Sequence, residues 1–201
     1  MSNAKCLSTF DGKHIVLRTV DMYALKHLFS WYQNLEYELS HLVHDCQMVY
    51  NELTFKEEFL SLLKNSYHVF LFIYPKNAES NADPIGFIST YKFNRLDGHI
   101  QLSIFLLPEY RKMHYSVEAG IIICHYLFTY YPIRKVCCSV FGYNTVCADL
   151  LLSIGFEKDG ELRQHKYYNG RYYNVFLFSL FRDDFYNRSN KFLSRMNKTK
   201  V

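Results

Sequence analysis

Proline and glycine are scarce in this 201-residue chain, at 4 and 8 residues, which excludes collagen-like and low-complexity architectures. No run of eighteen apolar residues occurs, so no membrane-spanning helix is expected. The N-terminus also lacks the apolar stretch of a signal peptide. The six cysteines, at 6, 46, 124, 137, 138 and 147, contain no C-x-x-C pair. They read as reduced, mostly buried thiols of a cytoplasmic protein. Cys137 and Cys138 are adjacent within an apparent strand, so their side chains face opposite ways.

Neither sign of charge dominates, with 23 basic and 19 acidic residues. Acids stop at Asp184, while Arg188, Lys191, Arg195, Lys198 and Lys200 follow. Without those five, 18 basic residues stand against 19 acidic ones, so the basicity belongs to a tail. A near-neutral body argues against a nucleic-acid-binding face. Expected from this are one domain over residues 1–185 and a basic, flexible tail over 186–201. The chain is long enough to bury a core without disulfides or metal. Its 49% hydrophobic and 21% charged composition is that of a globular protein.

Residues 14–19 read as a strand, followed by Asp21 capping a helix that carries Leu25, Leu28, Phe29 and Tyr32 on one face. Thr54 to Glu57 has the form of a capping box opening a second helix through Leu60 and Leu63. β-formers fill 67–74, 84–93 and 99–107, with a loop over 76–83 and a turn over 95–98. A polar, basic stretch over 108–115 precedes a long apolar helix from Ser116 to about Tyr130. Residues 135–141 form a strand, and Asn144 caps a helix that Gly155 ends. Strands 156–168 and 171–181 flank Asn169-Gly170, a strong hairpin signal. No internal repeat occurs, and antiparallel strands precede the crossover. The expected fold is a mixed α/β (α+β) single domain.

The passage from strand 99–107 through 108–115 to the helix at 116 carries the chemistry. A strand entering a helix N-terminus leaves backbone N–H groups pointing outward with a favourable dipole, which suits an anion. Arg111, Lys112 and His114 add cationic side chains there. The alternative for the same residues is an ordinary connection with solvated charges.

Ile85-Gly-Phe-Ile-Ser89, Leu102 to Arg111, Glu118-Ala119, Val140 to Asn144, Ile154-Gly-Phe156 and Asn169-Gly-Arg171 together resemble the GNAT N-acetyltransferases. The resemblance runs in order through about 14–185. Its nearest branch is that of the ribosomal-protein N-terminal and related small-amine acetyltransferases. It implies a six-to-seven-stranded, mostly antiparallel sheet with a central splay, flanked by helices. It further implies acetyl-CoA, or another acyl-CoA, as co-substrate and no metal. Backbone groups of Ile104, Phe105 and Leu106 would hold the pantetheine arm and polarise the thioester. Arg111, Lys112, Met113, His114, Tyr115 and Ser116 would cradle the pyrophosphate, and Asn144 would contact the pantetheine chain. The acceptor would be a small-molecule amine or a peptide N-terminus, and pairing of closing strands would allow a homodimer.

Several positions depart from the family pattern. His114 and Ser116 stand where the loop has glycine and a final small residue. Gln101, Leu151 and Asn174 stand where a Glu, a Tyr and an Asp handle protons or orient the amine. Ser103, on the same strand face as Gln101, and Tyr143, beside Asn144, are the substitutes; His165 and Tyr115 are further candidates. A chain so altered either transfers by positioning alone or is a catalytically degenerate module. Such a module would bind acyl-CoA, a carrier-protein phosphopantetheine or a protein partner. His41, His44, Asp45 and Cys46 have metal-ligand types but lack a second half, and read as a polar loop or helix edge that could line the acceptor pocket. Cys138 and Cys147 are conceivable nucleophiles, although buried structural thiols are the default.

Overall fold

The computed structural model describes residues 9–33, 51–64, 68–79, 81–111 and 114–188. The His41–Cys46 cluster, Lys112, Met113 and most of the basic tail lie outside them.

An eight-stranded sheet organises the chain, in the order β1-β2-β3-β4-β5-β6-β8-β7. β1 (Thr9–Asp11) and β2 (Ile15–Thr19) pair antiparallel and lead into α1 (Met22–Tyr32). α2 (Glu52–Leu63) precedes the antiparallel run β3 (Phe70–Pro75), β4 (Gly86–Asn94) and β5 (His99–Leu106). A 3-10 turn at Pro108–Tyr110 then leads toward α3 (Tyr115–Tyr130). β6 (Lys135–Phe141), α4 (Thr145–Ile154), β7 (Glu157–Tyr168) and β8 (Arg171–Phe181) complete the domain. Among the described residues only β5 and β6 run parallel. Residues 182–188 are helical and bury Phe185 against Phe128.

The mixed, mostly antiparallel sheet agrees with the expectation, with one strand more than six to seven. The addition is β1, whose three residues are too short to show a period of their own. The start of α2 also differs. Asn51 accepts from the Thr54 N–H at 2.9 Å and the helix begins at Glu52, so Thr54 to Glu57 lie inside it. The other caps stand where expected. Asp21 accepts from the Ala24 N–H at 2.7 Å. Gly155 closes α4 at φ +107, a left-handed conformation that suits a residue without Cβ.

The sheet separates two apolar layers. Ile100, Leu102 and Leu106 face one side, with Ile121, Ile123 and Leu127 of α3. Phe87 and Phe105 face the other, with Trp31 of α1 and Phe55 and Phe59 of α2. The Trp31 ring lies 5.3 Å from Phe105 and 6.1 Å from Phe72. Burying each such ring stabilises the fold by about 1.5–3 kcal/mol. No helix among the described residues is long and apolar enough to cross a membrane.

Candidate active site

The parallel β5–β6 ladder has three rungs: His99↔Lys135, Ile100↔Val136 and Gln101↔Cys137. β5 then runs on beside β4 to the Gly86↔Leu106 rung, and β6 beside β8 to Phe141↔Val175. Beyond Gln101 the sheet therefore opens between β5 and β6. Gly86 sets how closely β4 follows this free half of β5. A Cβ there would collide with the Phe105 carbonyl oxygen and come within 3.0 Å of the Leu106 Cα.

Residues opposite one another on a ladder share a face. Tyr91, Gln101 and Cys137 thus form one row, and Ser89 and Ser103 the next toward the opening. Their face is that of Phe105, the α1 side. In that row the Gln101 Oε1 is buried and has no hydrogen-bond partner among the described residues. A buried, unsatisfied acceptor costs about 1–3 kcal/mol. Its neighbours do not repay that cost as ions. Burial pushes the Tyr91 phenol well above its usual range. Burial likewise raises the Cys137 thiol, with Lys135 acting against it. Further along the face, Ser179 Oγ donates to Asp159 Oδ1 at 2.7 Å, and Lys135 Nζ lies 3.0 Å from Asp159 Oδ2. Burial would raise the Asp159 carboxyl, but these two hydrogen bonds and the Lys135 charge outweigh it and hold it below its usual value.

At the end of β5, Arg111 Nε donates to the Leu106 carbonyl at 3.0 Å, folding the loop back on the strand it leaves. His114 is the N-cap of α3 with φ +58, so this histidine holds the left-handed conformation that glycine adopts without strain. Its side chain makes no capping hydrogen bond and is exposed. Tyr115 and Ser116 follow as the first helical residues, both half-buried. The buried Glu118 carboxylate ties the same first turn to the β1–β2 connection. It accepts from the Lys13 N–H, and from the His14 N–H and Nδ1 at 3.0 Å each.

Asn144 caps α4, accepting from the Cys147 N–H at 3.2 Å. The Tyr143 ring lies 4.5 Å from Tyr168 and 5.0 Å from Tyr173, and burial raises its phenol strongly. Leu151 is a core residue at 8% exposure, so α4 presents no ionisable group there. Asn174 accepts from the Gln164 N–H at 2.8 Å and donates to Glu161, which makes it part of the β7–β8 irregularity. His165 is exposed. Burial keeps the Cys138 and Cys147 thiols protonated, the latter raised to about 11, so neither supplies a thiolate near neutral pH. No cluster of metal-ligating residues occurs among the described residues.

Gln101 and Ser103 are therefore brought together on one face, beside the opening that leads to Leu106, Arg111 and His114. Tyr91 and Cys137, which complete the Gln101 row, are not singled out by sequence reasoning. Each is distant from Gln101 along the chain, and only the strand register joins them.

The acetyltransferase (GNAT) domain family matches residues 17–177. Two relatives come from Bacillus subtilis. The uncharacterized N-acetyltransferase YoaA is 21% identical over 170 residues, covering 85% of this chain and 94% of its own length. The SPbeta prophage-derived uncharacterized N-acetyltransferase YokL is 26% identical over 107 residues. That match covers 53% of this chain and only 60% of YokL. Among solved structures, spermidine N-acetyltransferase from Vibrio cholerae, in complex with CoA and spermine, superposes with a TM-score of 0.75. Its identity is 17%, with 87% of this chain and 99% of that chain covered. The opened β5–β6 pair, the left-handed cap of α3 and the family match over 17–177 make this chain a member of the GNAT acetyltransferase domain family.

Proposed function

We propose that the chain transfers an acetyl group from acetyl-CoA to the nitrogen of a small primary amine by direct attack, with no covalent enzyme intermediate. The observation that carries this reading is the end of the parallel ladder at Gln101↔Cys137, on a strand leading to a left-handed helix cap. A thioester lying along β5 at Ile104, Phe105 and Leu106 would have its carbonyl polarised by fixed backbone dipoles. The turn containing Arg111, His114, Tyr115 and Ser116 would receive the pyrophosphate at the N-terminus of α3. Lys112 and Met113 lie between Arg111 and His114 in the sequence. Asn144, at the cap of α4, would meet the pantetheine chain from the β6 side. Ser103 is the residue on the amine's face able to pass on a proton. Tyr143, beside Asn144, is the hydroxyl that would stand near the departing thiolate, and the burial that raises its phenol weighs against proton donation by it.

The Vibrio cholerae relative with CoA and spermine supports a small amine as acceptor. Positioning and carbonyl polarisation carry most of the rate in such a reaction, while acid–base help adds about 10²–10⁴-fold. The non-ionisable Leu151 and Gln101 favour a second reading, a module that binds acyl-CoA or a phosphopantetheine arm without turnover. The two readings separate in one assay: thiol release from acetyl-CoA, with mass detection of acetylated spermidine, glucosamine and a lysine-free peptide. Turnover on any of these amines is expected. Binding of acetyl-CoA with no acetylated product would replace the enzyme reading with the module.

A further inference from the structure

We propose that Glu118 is a positioning residue for acyl-CoA: its buried carboxylate, seated in the β1–β2 connection, holds the first turn of α3 where the free N–H groups of that turn meet the pyrophosphate. The inference rests on the acyl-CoA binding proposed above, and Glu118 acts through the helix rather than by contact with the ligand. The Glu118 N–H donates to the His114 carbonyl at 3.1 Å. The N–H groups of Tyr115, Ser116 and Val117 lie ahead of that bond and, as in any first turn, have no partner within the helix. The His114 side chain does not cap them. An acidic side chain in a first turn can turn back onto such groups. Glu118 instead turns to the β1–β2 connection, which leaves the helix end to an anion.

The seat is shaped for this carboxylate. It accepts from the Lys13 and His14 N–H groups, and the His14 Nδ1 lies 3.0 Å from Oε2. A Cβ at Gly12 would collide with Oε1 and come within 3.0 Å of the Ile15 carbonyl oxygen, so a side chain there would evict the carboxylate. The seat is also fixed to the sheet. The Gly12 N–H donates to the Ile15 carbonyl at 2.9 Å, and the Lys76 N–H, just past β3, to the His14 carbonyl at 2.7 Å. The first turn of α3 is thereby referenced to β2 and β3, and through β4 to β5, where the thioester would lie. A ligand held at both ends loses affinity when one end is misplaced. Charge alone works the other way. A carboxylate near a bound pyrophosphate repels it, so its removal would by itself tighten binding.

CoA would be titrated calorimetrically into wild type, Glu118→Leu, Glu118→Gln and Gly12→Ala, each below its melting transition. Glu118→Leu removes the carboxylate, and Gly12→Ala displaces it without changing α3. Each is expected to raise the CoA Kd about 10-fold at an unchanged number of sites. Glu118→Gln keeps one acceptor and falls between. In acetylation of spermidine the same loss appears in KM for acetyl-CoA, with kcat within about twofold of wild type. A purely structural role reads differently, as fewer binding sites and a lower kcat at unchanged Kd, and that result overturns the inference. Tighter binding by Glu118→Gln or Glu118→Leu marks the carboxylate as a repulsive charge only and overturns it as well. Should Glu118→Leu fail to fold, Gly12→Ala and Glu118→Gln carry the comparison. CoA binding by wild type, with the Kd of Gly12→Ala unchanged, removes the inference and leaves acyl-CoA binding standing. Absence of CoA binding by wild type removes it together with the reading beneath it.

Discussion

His114 holds a left-handed backbone at φ +58 with no side-chain capping bond in return. A non-glycine residue there costs about 1–2 kcal/mol, offset in part by the greater unfolded-state entropy of glycine. His114→Gly is therefore expected to raise stability by about 1 kcal/mol or less. His114→Val should lower it by about 1–2 kcal/mol, because a branched Cβ fits that region worst. Thermal melts of the two variants check both signs. Glu118 is a different case, a buried carboxylate whose acceptors serve two backbone N–H groups of the β1–β2 connection. Glu118→Leu strands those donors and should cost about 2–4 kcal/mol, with Glu118→Gln losing less because it keeps one acceptor. Urea unfolding at pH 7 measures the difference, and equal midpoints for Leu and wild type would contradict it.

At the scale of elements, the end of β5 depends on two contacts that no local pattern announces. Gly86 gives β4 room beside the Phe105 carbonyl, and Arg111 Nε ties the following loop to Leu106. Arg111→Ala is expected to weaken CoA binding about 10-fold or more by loss of a charge-assisted contact and of the folded loop; calorimetric titration with CoA reads it directly. On the far half of the sheet, Asp159 links β7 to β6 through Lys135 and to β8 through Ser179. Its folded pKa lies below the unfolded value. Its contribution is therefore present above the unfolded value, about 3.9, and lost as pH falls through the folded one. Asp159→Asn should lower Tm at pH 7 by no more than about 2–4 °C, since the pair is part-exposed, and should converge with wild type at the acid end.

Elements with chemical punctuation were legible from the chain itself. Asp21, Asn144 and Gly155 cap where their side chains or backbone freedom predict, and Asn169-Gly170 turns the last hairpin with φ +45 and +81. β1 escaped because three residues hold no period. The true start of α2 escaped because Asn51 caps as well as Thr54 would, and nothing local ranks the two. The strand and the helix on either side of the 108–114 connection were legible because they follow one another directly along the chain. The Gln101 row was only half legible, since Tyr91, Gln101 and Cys137 meet through register rather than through neighbouring positions.

For the molecule as a whole, two apolar layers hold a sheet that is continuous at its outer strands and parted in the middle. Packing of α3 on one face and of α1 and α2 on the other braces β5 from both sides, which keeps its end fixed while β6 turns toward β8. The opening thus follows from the strand pairing itself, and the proposed function places the acyl-CoA between these two strands. Amide NMR of the uniformly labelled chain during titration with acetyl-CoA tests this most directly. The account predicts saturable shifts concentrated at residues 103–106, at 114–117 and at 144–147, with β1, β2 and the β7–β8 turn unchanged. Shifts absent from 103–106, or centred elsewhere on the sheet, would contradict it.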